Sequence, residues 1–125
     1  MEITKLTPNG FCKGVIYAIN LINNALNDKN LKKPIYMLGN LVHNKKVVEA
    51  FKEKGVIILD GNSRIEMLQK INEGTVIFTA HGVSDEVRFL AKNKGLTIID
   101  ATCKDVLKTH NVIKEKLNAG YRVLF

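Results

Sequence analysis

Asn72-Glu73-Gly74-Thr75-Val76-Ile77-Phe78 is the stretch whose reading decides the fold. A polar segment ends at a glycine and passes with no linker into a short β-branched and apolar run. The glycine reads as the left-handed C-terminal cap of a helix. The run after it reads as a strand covered on both faces. The pattern recurs three times. Lys52-Glu53-Lys54-Gly55 precedes Val56-Ile57-Ile58-Leu59, and Lys92-Asn93-Lys94-Gly95 precedes Leu96-Thr97-Ile98-Ile99. Asn118-Ala119-Gly120 precedes Tyr121-Arg122-Val123-Leu124-Phe125. Basic residues near the caps complement the helix dipole.

The segments between these strands are helical. Val15, Ala18, Ile19, Ile22, Ala25 and Leu26 form one apolar stripe, and Val47, Val48 and Phe51 a second. Ser63-Arg64-Ile65-Glu66 and Thr102-Cys103-Lys104-Asp105 match the capping box that opens a helix, and Ser84 is placed to cap a third. Pro34 starts a strand over Ile35–Leu38, and Ile3 and Leu6 mark a first strand. The expected order is β-α-β-α-β-α-β-α-β-α-β, with no hairpin signal, repeat, low-complexity segment or linker. Such alternation predicts an α/β fold with an open parallel sheet, helices on both faces and right-handed crossovers. The pattern closes on an apolar strand with no helix or polar tail after it, as one lobe of a larger protein would.

The chain has 125 residues, 46% of them hydrophobic and 25% charged, enough for one core and too apolar for disorder. No apolar run approaches the roughly 20 residues that span a bilayer. The N-terminus carries neither a signal-peptide nor a transit-peptide pattern, so a cytoplasmic protein is expected. A net charge of +7 suits an anionic partner, although the lysines are spread over the helices and serve equally as a solvated surface. Two cysteines so far apart fit no zinc-ribbon or CxxC spacing, and a cytosolic disulfide is not expected.

Chemistry-bearing residues gather where strands feed into helices. Cys12 lies in Asn9-Gly10-Phe11-Cys12-Lys13-Gly14-Val15, between two glycines that let the backbone turn sharply and a bulky group approach. A helix beginning just after it aims unpaired N–H groups at the turn and favours the thiolate. His43 follows the strand at Ile35–Leu38, His81 the strand at Thr75–Phe78, and Cys103 the strand ending near Asp100. In an open α/β sheet, ligands bind beyond these strand ends. Each residue also has a plain structural reading: a buried small cysteine, a cap at His43, a hydrogen-bonded turn at His81. His110 falls mid-helix near Val106, Ile113 and Leu117 and is read as structural. Thiolates select soft centres, and imidazoles at helix starts bind phosphate oxygens. From the residues alone, zinc, an iron–sulfur cluster and no metal all stay open.

Gly10-Phe11-Cys12-Lys13-Gly14-Val15, Val42-His43-Asn44 with Val47-Val48, Ala80-His81-Gly82-Val83-Ser84 and Asp100-Ala101-Thr102-Cys103 occur together in one family. Over residues 3 to 125 the chain resembles the N-terminal part of the 4-hydroxy-3-methylbut-2-enyl diphosphate reductases, the LytB family. The resemblance implies an oxidoreductase at the last step of the methylerythritol phosphate route to isoprenoids. It implies that Cys12 and Cys103 are two of three thiolates holding a [4Fe–4S] cluster, and that His43 and His81 bind the substrate diphosphate. Two electrons from reduced ferredoxin or flavodoxin, with protons, would expel the substrate hydroxyl as water and leave isopentenyl and dimethylallyl diphosphates. The third cysteine, the acidic proton donor and the Ser and Asn diphosphate ligands lie beyond Phe125 in relatives, so these residues alone are expected not to turn over. The family's three-lobed form implies one lobe here plus the start of a second, with a boundary near 100–104. Two departures stand out: Ile16-Tyr17 replaces the usual Asp-Arg, and Lys104 the usual proline.

Two rival readings come from other classes. Gly10-Phe11-Cys12-Lys13-Gly14 mimics a nucleophile elbow, with His43 or His81 as base of a cysteine hydrolase. The net charge alone would suit a nucleic-acid-binding domain, but no recognition motif accompanies it.

Overall fold

The computed structural model describes residues 1–4 and 10–124. Its elements run α1 (Lys13–Leu26), β1 (Ile35–Leu38), α2 (Lys45–Glu53), β2 (Val56–Leu59), α3 (Arg64–Gln69), β3 (Thr75–Phe78), α4 (Asp85–Asn93), β4 (Thr97–Asp100) and α5 (Lys104–Asn118). The four strands form one parallel sheet in the order β2-β1-β3-β4. The expected alternation is present throughout this span.

Side-chain alternation along the strands splits the core into two layers. Ile35 and Met37 of β1 and Ile77 of β3 face a cluster with Ala18 and Ile22 of α1 and Phe51 of α2. Leu38 of β1 and Val76 and Phe78 of β3 face Met67 and Leu68 of α3 and Val87 and Ala91 of α4. Every residue of β3 is buried, which is why its run in the sequence is continuous rather than alternating. Both edge strands are partly exposed.

Capping follows the sequence in most places. Ser63 Oγ accepts from the Glu66 N–H at 3.1 Å, and Ser84 Oγ from the Val87 N–H at 3.4 Å. Gly55, Gly95 and Gly120 end α2, α4 and α5 at positive φ as expected, whereas Gly74, also at positive φ, stands five residues past the end of α3 at Gln69 and caps no helix. Thr102 behaves otherwise. The N-cap of α5 is Cys103, and the Thr102 hydroxyl donates to Asp100 Oδ1 at 2.5 Å. The capping box expected there is thus replaced by a brace on the preceding strand.

The last expected strand needs correction, and the first lies partly outside the described residues. Tyr121–Leu124 follow Gly120 as expected but form no strand, because no described strand lies alongside to pair with them. Of the first expected strand, Ile3 is exposed and outside any element, and Leu6 lies outside the described residues. α5 has no buried residue at all, so it lies on the surface of this sheet rather than in its layers. Among the described residues, no helix is long and apolar enough to cross a membrane.

Burial separates two phenylalanines that the sequence presents alike. Phe78 is fully buried at the end of β3, whereas Phe89 on α4 is 67% exposed. Phe78→Ala is expected to lower stability by about 3–5 kcal/mol. Phe89→Ala should stay within about 0.5 kcal/mol of the parent. Urea unfolding followed by circular dichroism measures both.

Candidate functional site

Both cysteines are helix N-caps. Cys12 has φ −65° and ψ 161°, and its carbonyl accepts the first bond of α1 from the Ile16 N–H at 3.1 Å. Cys103 has φ −59° and ψ 137°, and its carbonyl accepts from the Leu107 N–H at 3.0 Å to open α5. Neither thiol caps its helix through the side chain, so both sulfurs remain available. They also converge. A Cβ built on Gly14 would overlap Cys103 Sγ and lie 3.9 Å from Cys12 Sγ. Glycine is needed here for close approach: any side chain would occupy the space the two sulfurs share. Among the described residues, no third His, Cys, Asp or Glu joins them.

Cys103 reaches this point through a braced turn. The ladder between β3 and β4 continues past the strands, with the Ala101 N–H donating to Phe78 O and the Cys103 N–H to Ala80 O, each at 3.0 Å. Asp100 Oδ1 also accepts from the Thr102 N–H at 3.1 Å, and its Oδ2 pairs with Arg88, whose guanidinium lies 5.6 Å from the Phe78 ring centre. Burial alone would raise the Asp100 pKa, but the hydrogen bonds from Arg88 and Thr102 outweigh it and hold the carboxyl below the usual carboxylate range. Ala80 O therefore ties Cys103 to the residue just before His81.

The imidazoles sit where the strand order reverses. The chain leaves β1 toward β2 and leaves β3 toward β4, on opposite sides, so a crevice opens between the ends of β1 and β3. His43 follows β1 and immediately precedes Asn44, the N-cap of α2, whose Oδ1 accepts from the Lys46 and Val47 N–H groups. His81 lies in the turn closed by the Gly82 N–H donating to Thr79 O at 3.0 Å. It stands four residues before α4, so it occupies a strand-end turn and not the helix start the sequence suggested. Both rings are exposed and line one open cavity of about 440 Å³. The structure thus pairs the two cysteines and, separately, the two histidines. The cavity lined by His43 and His81 includes neither cysteine, and the one lined by Cys103 includes neither histidine.

Three features were missed in the sequence. Arg64 lines the imidazole cavity, and its position could have been found from the Ser63 cap that starts α3 at a strand end. His110, read as structural, lines a second cavity of about 610 Å³ together with His81, and its Cε1 would lie 3.3 Å from a Cβ on Gly82. Tyr17 and Lys104, far apart in the sequence, meet each other: Lys104 Nζ stands 5.6 Å from the Tyr17 ring centre. That cation–π contact joins the two helices whose N-caps are the cysteines. No sequence signal links positions so far apart.

Two cysteines at paired helix N-termini and two imidazoles at the strand-end crevice of a parallel sheet define this as an open α/β domain with its reactive side chains at the carboxyl ends of the strands. The family model described as LytB protein matches residues 3–125, and the chain belongs to that family. It is 57% identical over its whole length to the 4-hydroxy-3-methylbut-2-enyl diphosphate reductase of Geobacillus sp. (strain WCH70), and 58% to that of Bacillus mycoides (strain KBAB4). It spans 40% of the length of each. Among solved structures, the E-1-hydroxy-2-methyl-but-2-enyl-4-diphosphate reductase of Plasmodium falciparum matches with a TM-score of 0.77 and 36% identity, over 92% of this chain and 34% of that one. Family membership sets aside the hydrolase and nucleic-acid readings. Among the described residues, moreover, neither histidine hydrogen-bonds the Cys12 thiol as a hydrolase base would.

Two measurements check this geometry. Phenylarsine oxide, which bridges neighbouring thiols, should bind the metal-free protein one to one, and Cys12→Ser or Cys103→Ser should each abolish tight binding. Asp100 contributes stability above the ordinary carboxylate range, and that contribution is lost as pH falls through its depressed native pKa. Asp100→Asn should therefore cost about 0.5–1 kcal/mol at neutral pH, since water screens this partly exposed carboxyl, with the difference from the parent closing in acid. Unfolding midpoints across pH read it out.

Proposed function

We propose that this chain supplies two of the cluster ligands and part of the diphosphate rim of a 4-hydroxy-3-methylbut-2-enyl diphosphate reductase. The activity is that of an oxidoreductase of isoprenoid biosynthesis, at the last step of the methylerythritol phosphate route. The observation that carries the reading is the meeting of the Cys12 and Cys103 sulfurs over the bare Cα of Gly14, each at the N-terminus of a long helix. Two soft donors, uncapped and side by side, fit an iron–sulfur group, with a third thiolate coming from elsewhere in the protein. Cys12 and Cys103 would hold a [4Fe–4S] cluster. When bound, that cluster would relay, one at a time, the two electrons from an external reduced donor that, with two protons, release the substrate hydroxyl as water.

The rest of the work assigned to these residues is positioning. His43 and His81 donate ring N–H groups to the diphosphate oxygens from the two lips of the crevice, fixing the anionic end of the substrate. Asn44 caps α2 and so sets where His43 enters. The Cys103–Ala80 hydrogen bond holds the sulfur side and the imidazole side in register, which keeps the reacting end of the substrate near the thiolates. Reduced ferredoxin or flavodoxin is the proposed electron donor. The acidic proton donor and the remaining diphosphate ligands are assigned to residues outside this chain. The turn at 100–104 is read as the boundary where a second lobe begins.

Anaerobic reconstitution of the full-length protein with iron and sulfide tests this. Cys12→Ser and Cys103→Ser are expected to remove the cluster's absorbance and its paramagnetic signal, together with turnover. His43→Asn and His81→Asn are expected to keep the cluster and raise KM about tenfold, as the loss of one charge-assisted hydrogen bond would. A fully coloured, active Cys12→Ser protein would overturn the assignment.

A further inference from the structure

Arg64 is the first residue of α3. The Ser63 cap fixes that start, so the Arg64 side chain reaches back across the end of β1. Its Nη1 donates to the Leu38 carbonyl and rests 3.8 Å from Met67 Sδ. The space it fills exists because residue 39 is glycine, at φ +78°. A Cβ there would overlap Nη1 and lie 3.1 and 3.2 Å from Cζ and Nη2. The guanidinium is therefore seated in a cradle at the strand that bounds the crevice, and not left waving in solvent.

The seat is costly for a cation. Burial pushes the Arg64 pKa down, which records lost hydration of the charge. Yet among the described residues no carboxylate lies within ion-pair distance of it. The ion pairs found there are Arg88 with Asp100 and Lys114 with Asp85. The one carboxylate lining the same cavity, Asp60, turns Oδ1 to the Gly61 N–H at 2.9 Å. A guanidinium has five N–H donors, and here a single carbonyl oxygen accepts from it. A half-buried, forked cation without a counter-ion, lining one cavity with His43 and His81, lacks a multidentate anion.

We propose that Arg64 is a third anion-binding residue of this rim, gripping the substrate diphosphate between the two imidazoles. The proposal rests on the reading of the rim as a diphosphate site and adds to it a residue that supplies permanent charge where the histidines supply titratable rings. A purely structural pin would need one donor to Leu38 and no charge. Glutamine can provide the donor, so Arg64→Gln separates the two roles.

Inorganic diphosphate, with inorganic phosphate as second probe, is titrated calorimetrically into the full-length protein. The variants are Arg64→Gln, Arg64→Lys, His43→Asn and Lys70→Gln, the last removing an exposed charge at the far end of α3. Arg64→Gln is expected to weaken diphosphate about tenfold, as loss of a charge-assisted pair would. Arg64→Lys should weaken it about threefold, because an ammonium keeps the charge but not the fork. Lys70→Gln should bind as the parent does, and the parent should prefer diphosphate to phosphate. Weakening by His43→Asn with none by Arg64→Gln would overturn the Arg64 assignment and spare the rim. Diphosphate binding absent in the parent, or untouched by either variant, would overturn both. If Arg64→Gln fails to melt cooperatively, Arg64→Lys decides, and parental affinity there would overturn the proposal.

Discussion

Everything in this domain depends on β1 and β3 lying side by side while the chain departs from them in opposite directions. A right-handed crossover to one side of a sheet puts its helix on one face, and a crossover to the other side puts it on the opposite face. Hence α2 packs with α1 on the layer around Met37 and Ile77, and α4 packs with α3 on the layer around Leu38 and Phe78. The loops after β1 and β3 must then splay apart. The crevice between them follows from strand order and handedness, and both imidazoles fall on its lips.

The sulfur pair is made differently. Neither cysteine belongs to the crevice loops. Each ends an approach to a long helix, and the two approaches meet because Gly14 has no side chain to keep them apart. On one side the approach is stiffened by the extension of the β3–β4 ladder to Cys103 and by the Asp100 brace that holds Thr102 and Arg88. Modest interactions suffice, since each needs only to restrict a turn already confined by sheet hydrogen bonds.

Charge runs through the same region. Two lysines directly follow the two cysteines, Lys13 after Cys12 and Lys104 after Cys103, and Lys104 lies over Tyr17 rather than pointing free. That contact ties the start of α5 to the N-terminal part of α1, next to both cysteines. Arg64 adds fixed positive charge to the crevice from a third strand end. The net excess of +7, uninformative as a sum, acquires meaning where these few cations are placed.

The sequence by itself determined the alternation of strands and helices, most of the glycine caps, the fully buried character of β3, and the four residues worth watching. All of these are local: periodicity over one element, a cap within one turn, a residue type at a strand end. Where local signals went astray, a distant partner was missing or a stronger one intervened. Tyr121–Leu124 had strand composition without a neighbouring strand among the described residues, and Thr102 had a capping motif but found Asp100 closer. Only the tertiary structure decided that the cysteines meet each other, that the histidines share a separate cavity which Arg64 also lines, and that Lys104 lies over Tyr17. Those facts depend on strand order and on the absence of a Cβ at Gly14 and Gly39, both settled when segments far apart in the chain pack together.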